Sequence, residues 1–276
     1  MHFLPVLLLF FSVQTLAADK PLVFVSVLPQ TTIVKGIAGD LVQVEAMVGK
    51  GFNPATYQPS PRQVARLSDA ALYVRAGMPF EQSWLPRFLA VNPSMKVLDM
   101  RKGLKLLPAD GHHAGEEDPH VWTDPLLVKR HAQYLRDTLS ELYPAEKHRF
   151  ERNYRQFATR LDELDRELKA MLTPVEGGSF LVYHPAWSYF AHRYGLRQIA
   201  VEQGGKEPNP RTLAQLIETA RKAKIHTILV QPQHSSATAK VLAEAIGAKL
   251  LEMDPLAPDF FSALRKLAAA LARQTS

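Results

Sequence analysis

The sequence predicts an α/β protein of two lobes, each with a mainly parallel sheet flanked by helices, joined by one long rigid helix. Two observations lead to this fold class. Short β-prone runs alternate with helical stretches in both halves of the 276-residue chain. Between the halves, residues 145–172 carry apolar side chains at helical spacing, bounded by Pro144 and Pro174. At about 1.5 Å per residue, that helix would be on the order of 40 Å long.

The N-terminal lobe is predicted to cover residues 19–143. Two of its helices should begin where a capping residue is followed by proline at the first helical position, at Ser60 with Pro61 and at Asp124 with Pro125. The helix after Pro125 is expected to end at Tyr143. The predicted strands of this lobe are 22–28, 42–48, 70–76 and 96–100.

The linking helix is assigned to residues 144–174 and the C-terminal lobe to residues 175–276. After Gly177 and Gly178 the alternation of strands and helices resumes. Asn209 with Pro210 marks another helix start. The predicted strands of this lobe are 180–184, 196–202, 225–231 and 249–254.

Residues 1–18 have the pattern of a cleaved signal peptide. The apolar run 3–13 covers only about half of the roughly 20 residues that cross a bilayer, and small residues follow it. Cleavage is expected after Ala17 or Ala18, and the alternative is a buried N-terminal strand. Bacterial lipoproteins are acylated on a cysteine, and the sequence has none. We therefore expect an exported, periplasmic protein without a lipid anchor.

Composition excludes several classes of function. Hydrophobic residues make up 46% of the chain and charged residues 22%, as in ordinary globular proteins. The net charge of +6 is mild and forms no basic stripe, so we expect no nucleic-acid partner. Without cysteine, disulfides, thiolate zinc sites and iron–sulfur clusters are excluded. Any metal site must therefore use histidine and carboxylate side chains.

Three polar residues lie where a cleft between two such lobes would place them. In open parallel sheets, ligands bind beyond the carboxyl ends of the strands. His184 ends the run FLVYH and Asp254 ends KLLEMD, whereas His120 precedes a capped helix in EDPHVWTDP. Two imidazoles and a carboxylate suit a divalent transition metal such as zinc. The alternatives are ordinary surface or core histidines, and a turn residue ahead of Pro255.

The other histidines carry less weight, and enzyme signatures are lacking. A polar loop at 111–118 holds His112 and His113. We slightly favour a solvated linker over the alternative that these two histidines are additional metal donors. Hydrolase, dinucleotide, P-loop and HExxH motifs do not occur. The remaining internal histidines are expected to be solvated, on the surface or in a turn: His131, His148, His192, His226 and His234.

These motifs together resemble the zinc and manganese binding proteins of bacterial ABC importers, the ZnuA and TroA-like group. The resemblance covers essentially the whole mature chain. Its main motifs are the segment 51–85, DPHVWTDP (118–125), HPAWSYFAHRYGL (184–196), EPNP (207–210) and LEMDPL (251–256). It implies two α/β lobes bridged by a long helix, with metal ligands at His120, His184 and Asp254.

The chain departs from that family at two positions. Ala55 stands where the family carries a ligand histidine, and Gln231 stands where relatives carry glutamate. Three alternatives follow: a zinc site with three protein ligands plus water or a neighbouring donor, recruitment of His112 or His113, or loss or redirection of metal binding. We favour the first and expect zinc, with manganese as the competitor.

The resemblance implies a periplasmic receptor that captures a divalent metal between its lobes. It would pass the metal to an inner-membrane permease driven by a cytoplasmic ATPase. We expect a monomer and no catalysis, with hinge closure limited by the rigid helix. The alternatives are a metal chaperone or sensor, and a metalloenzyme with an open metal position and Glu202 or Glu207 as the base.

Overall fold

The computed structural model describes residues 20–109, 117–235 and 237–273. Its N-terminal lobe has a four-stranded parallel sheet with strand order β2-β1-β3-β4. The strands are β1 (Leu22–Val27), β2 (Gln43–Val48), β3 (Ala70–Arg75) and β4 (Lys96–Asp99). The helices of this lobe are α1 (Pro29–Ala38), α2 (Pro61–Arg66), α3 (Pro79–Val91) and α4 (Pro125–Leu142).

The C-terminal lobe repeats this plan with strand order β6-β5-β7-β8, again parallel. Its strands are β5 (Ser179–Val182), β6 (Arg197–Ala200), β7 (Thr227–Val230) and β8 (Lys249–Glu252). Its helices are α6 (Ser188–Arg193), α7 (Pro210–Lys222), α8 (Ala237–Ile246) and α9 (Phe260–Ala272). The predicted fold class is therefore confirmed, and each strand lies within a residue or two of its predicted range.

The linking helix α5 (Lys147–Leu172) spans both lobes, with a length of about 39 Å. It packs against α1 and α4 of the first lobe and against α9 of the second. Its buried side chains recur at three-to-four spacing and form one face: Phe150, Phe157, Ala158, Leu161, Leu164, Leu168 and Leu172. The helix therefore joins the two lobes through a shared apolar core.

The central strands β1 and β5 are buried on both faces, as strands of parallel sheets usually are, whereas the edge strand β8 is largely exposed. All six side chains of the central strand β1 are buried. In β5 the side chains alternate between two apolar clusters. Phe180 and Val182 join the core shared by both lobes, whereas Leu181 and Tyr183 join a second core beneath α7 and α8. The outer layer of the C-terminal lobe therefore has a core of its own.

The predicted helix starts are confirmed. Ser60 and Gln63 form a reciprocal capping box at α2. Asp124 accepts hydrogen bonds from two backbone amides at the start of α4, and Asn209 accepts one at α7. Each cap precedes a proline, whose missing N–H would lack an intrahelical partner in any case.

A buried carboxylate fastens the start of α3 to the sheet. Glu81 is 1% exposed and accepts hydrogen bonds from the Ser26 hydroxyl and from the backbone amides of Ala76 and Gly77. The guanidinium of Arg75 forms an ion pair with it at 3.0 Å. Four donors thus compensate the burial of one charge.

One histidine lies elsewhere than expected. The sequence predicts a solvated His131, but this residue is 1% exposed on α4, so the prediction is wrong. The reason is its place in the apolar stripe formed with Val128, Ala132 and Leu135, which are buried at helical spacing. Burial lowers the pKa of His131 to about 4.

Two predictions concern residues outside this description or boundaries that it does not test. The signal peptide at 1–18 lies outside the described residues. The division into 19–143, 144–174 and 175–276 stays a prediction, with short 3₁₀ turns on either side of α5. Across the described ranges, the helices lack the combination of length and apolar character that crossing a bilayer requires.

Candidate metal centre

A cavity of about 400 Å³ lies between the lobes, and three histidines line it. His120 comes from the first lobe, whereas His184 and His234 come from the second. Ala55, Met78, Arg101 and Glu117 add to the wall on the first-lobe side, and Gln231, Gln233 and Pro255 on the other. The cavity wall therefore combines apolar and polar side chains, and the three imidazoles are among the polar ones.

His120 is held by the aspartate two residues before it. One carboxylate oxygen of Asp118 accepts hydrogen bonds from the His120 backbone amide at 2.8 Å and from its Nδ1 at 2.7 Å. Both residues are buried. Although burial alone would raise the pKa of Asp118, its electrostatic interaction and hydrogen bonds with His120 lower it. Because an ionised carboxylate only accepts, Nδ1 carries the proton and Nε2 keeps its lone pair for a ligand.

His184 follows β5 at its carboxyl end, as predicted. Its backbone amide donates to the Gln231 side-chain oxygen at 3.1 Å, and the Gln231 amide nitrogen donates to its carbonyl at 2.8 Å. Gln231 follows β7, the neighbouring strand. Gln231 thus has a structural role, since it fixes the backbone of a candidate ligand.

Glu202 is the buried partner of two imidazoles. The register of β5 with β6 places it beside His184, and one of its oxygens lies 2.6 Å from Nδ1 of His184. Its second oxygen lies 3.4 Å from Nδ1 of His234. Although burial alone would raise the pKa of Glu202, hydrogen bonds from the two imidazoles lower it to about 2. Glu202 therefore remains ionised at neutral pH and orients both rings.

The sequence predicts a turn at His234 and no role in the site, yet the residue lines the cavity beside His184. It does lie in a turn, since its amide donates to the carbonyl of Gln231 at 3.2 Å. Its ring stacks on that of His184, with 4.6 Å between centroids and 16° between planes. The rule that singled out His184, proximity to a strand's carboxyl end, applies equally to His234, which follows β7 by four residues.

Asp254 lies two residues beyond β8, and one of its oxygens is occupied by hydrogen bonds. That oxygen accepts from the Gln233 side chain at 2.8 Å and from the Leu256 backbone amide at 2.9 Å. Gln233 and Leu256 line the cavity. The carboxylate thus has the turn-stabilising role that was its alternative interpretation, and its role as a metal ligand stays a prediction.

The structure brings the two predicted histidines together across the cleft. The rings of His120 and His184 lie 5.4 Å apart between centroids. Within the described residues, the three-residue set whose candidate ligand atoms all lie within 4.8 Å of one another consists of His184, Glu202 and His234. His112 and His113 lie outside the described residues. Ala55 lines the cavity but offers no donor side chain.

Hydrogen bonds between the lobes fix these distances. The indole of Trp122, two residues after His120, donates to the carbonyl of Pro255 at 2.8 Å. The hydroxyl of Tyr189 donates to the carbonyl of Asp118 at 2.8 Å, so it ties the second lobe to the residue that orients His120. Arg193 forms an ion pair with the helix cap Asp124 at 3.0 Å. The imidazoles are thus held in place from both sides.

The protonation state of the site suits a metal cation. Burial lowers the pKa of His184 to about 4, and the hydrogen bond to Glu202 only partly opposes this shift. The ring is therefore neutral at pH 7, and it can bind a metal ion without first losing a proton. Neutral imidazole nitrogens held by carboxylates are the donors that Zn²⁺ prefers in proteins.

Solved structures of known proteins share this fold. A crystal structure of ZnuA is 38% identical, with a TM-score of 0.89, and the match covers 94% of this chain and all of that one. The Zn(II)-bound ZnuA-like domain of Streptococcus pneumoniae AdcA is 31% identical, with a TM-score of 0.77 over 93% of this chain and 99% of that one.

The sequence comparisons point the same way. The zinc-binding lipoprotein AdcA of Streptococcus pneumoniae is 33% identical over 244 residues, which are 83% of this chain and 48% of AdcA. The chain thus spans about half the length of that relative. The family model described as zinc-uptake complex component A, periplasmic, matches residues 23–274. The chain therefore belongs to the ZnuA family of zinc-uptake components.

Proposed function

We propose that the protein is a periplasmic receptor that captures Zn²⁺ between its two lobes and delivers it to the permease of an ABC importer. The observation that carries this proposal is the approach of His120 and His184 from opposite lobes, 5.4 Å apart between ring centroids. Each ring is held at Nδ1 by a buried carboxylate, which leaves Nε2 for the metal. The names of the relatives support zinc as the cargo.

His120 and His184 are the two ligands that we assign, with Asp254 as the third predicted donor. A bound water or a neighbouring side chain would complete the four-coordinate geometry that zinc favours. Manganese prefers oxygen-rich sites, so an imidazole-rich cavity favours zinc. Membership of a family of zinc-uptake components argues against the metalloenzyme alternative.

Titration calorimetry on metal-free protein tests the capture step. We expect one Zn²⁺ per chain, with affinity reduced at least about tenfold in His120→Ala. The matched control is His148→Ala, because the side chain of His148 is 94% exposed on α5. Asp254→Ala tests the third donor, and Mn²⁺ titrated alone tests the choice of metal. Failure of the wild-type protein to bind Zn²⁺ would refute the receptor function.

Delivery, location and assembly are tested separately. Zinc-loaded receptor should stimulate ATP hydrolysis by its importer in proteoliposomes, whereas the His120→Ala protein should not. We expect the secreted protein to begin after Ala17 or Ala18, to carry no lipid and to fractionate with the periplasm. Light scattering should give the mass of a monomer with and without zinc.

A further inference from the structure

We propose that His234 is a third imidazole ligand of the bound metal and that it supplies the donor which Ala55 lacks. This inference rests on the proposed function, since it concerns the same cavity. The first observation is position: His234 lines the cavity together with His120 and His184, and Ala55 lies in the same wall. A methyl group has no donor atom, so the cavity needs an imidazole from another element to hold three.

Glu202 provides the second observation. Its carboxylate faces Nδ1 of His184 with one oxygen and Nδ1 of His234 with the other, at 2.6 Å and 3.4 Å. One buried carboxylate thus orients two imidazoles. Asp118 does the same for His120. A carboxylate behind each metal-binding histidine is the arrangement that fixes the ring and makes its free nitrogen a better ligand.

The third observation is the relative orientation of the two rings. Both Nδ1 atoms are directed at one carboxylate, so the Nε2 atom of each ring faces away from Glu202. The rings are 16° from parallel and must turn toward each other for both Nε2 atoms to bind one ion. Glu202 is only 4% exposed and is not among the residues that line the cavity. Glu202 is therefore a positioning residue behind the rings, and the two imidazoles form the surface that a cation meets.

The fourth observation is that the chain holds His234 in place. The turn that carries it has proline at its second position and closes with a hydrogen bond from His234 to Gln231. Gln231 is itself paired with the backbone of His184. The side chain of His234 is 14% exposed, so a ligand in the cavity can reach it. Its position is thus coupled to that of His184.

The test uses the variant His234→Phe, which keeps an aromatic ring stacked on His184 but removes both nitrogens. We expect its affinity for Zn²⁺ to fall at least about tenfold. The control is His226→Phe, which replaces an exposed histidine of the same lobe and should bind as wild type does. Adding Ala55→His to His234→Phe should restore affinity, because position 55 faces the same cavity.

A direct readout separates a ligand from a packing residue. Long-range ¹H–¹⁵N spectra of the imidazoles, recorded before and after one equivalent of Zn²⁺, should show a coordination shift of Nε2 in His234 as well as in His120 and His184. The His234 signals are assigned by their loss in His234→Phe. Glu202→Gln should weaken binding about 10- to 100-fold while all three Nε2 atoms still shift.

The outcomes distinguish this inference from the proposed function. If Nε2 of His120 and His184 shift and that of His234 does not, or if His234→Phe binds Zn²⁺ as wild type does, His234 is not a ligand and the receptor function stands. If Ala55→His restores nothing, His234 does not stand in for a donor at position 55. If Zn²⁺ moves none of these signals, the proposed function fails first.

Discussion

The titration of His131 offers a quantitative test of the folded core. This ring is 1% exposed on α4, and within the described part of the chain neither of its nitrogens has a hydrogen-bond partner. Burial lowers its pKa from 6.5 to about 4. At pH 8 both the folded and the unfolded chain hold a neutral ring. As the pH falls below 6.5 the unfolded chain takes up a proton first, so stability is lost down to about pH 4.

The size of this loss follows from the two pKa values. At pH 5 the unfolded state is favoured by about 2 kcal/mol relative to pH 8 through this one group. His131→Leu removes the group and fills the site with an apolar side chain. We therefore expect the loss of stability between pH 8 and pH 5 to be smaller by about 2 kcal/mol in His131→Leu than in wild type.

Urea unfolding of the metal-free protein, monitored by circular dichroism at both pH values, measures this difference. A chelator removes zinc, whose own binding depends on pH. The control is His148→Leu, which replaces a histidine whose side chain is 94% exposed and should keep the wild-type dependence. If His131→Leu loses as much stability as wild type between pH 8 and pH 5, the buried ring is not held neutral and the argument is wrong.

Two further predictions concern the N-terminal lobe. Glu81→Gln would remove the ion pair with Arg75 and place an amide donor against the backbone amides of Ala76 and Gly77. We expect the free energy of unfolding, measured with urea, to fall by about 2–4 kcal/mol. The control is Glu141→Gln at an exposed ion pair, which should leave the urea midpoint unchanged. Gly36→Ala would place a methyl carbon 2.5 Å from the ring of Phe157, so we expect about 1–3 kcal/mol of destabilisation despite the better helix propensity of alanine. Gly49→Ala, with its nearest neighbour at 3.8 Å, is the control, and equal midpoints for the two alanine variants would contradict the packing argument.

Much of the fold could be predicted from patterns that are local in the sequence. Capping residues before prolines marked the starts of α2, α4 and α7, and the apolar period of α5 identified the helix that joins the lobes. The buried position of His131 was harder to predict because charged residues surround it in sequence. Its burial depends on a stripe of small and aliphatic residues at helical spacing, which is not evident when only the charges of its sequence neighbours are considered.

The site could be predicted only in part, because some of its contacts join residues that are far apart in the sequence. His120 and His184 could be found because each lies beside a recognisable element boundary. The link between Glu202 and His234 exists only after the sheet forms, because their neighbours β6 and β7 lie on opposite sides of β5. The occupied oxygen of Asp254 likewise depends on Gln233, on a different loop.

The separate core under α7 and α8 has a consequence for the release of the bound metal. Tyr183 and Val201 belong to that core, and they are the chain neighbours of His184 and Glu202. Transient fraying of this outer layer would draw the carboxylate away from the imidazoles while the rest of the fold stays intact. Such partial openings need less free energy than global unfolding. A membrane partner that binds the frayed form more tightly would then release the metal without separating the two lobes.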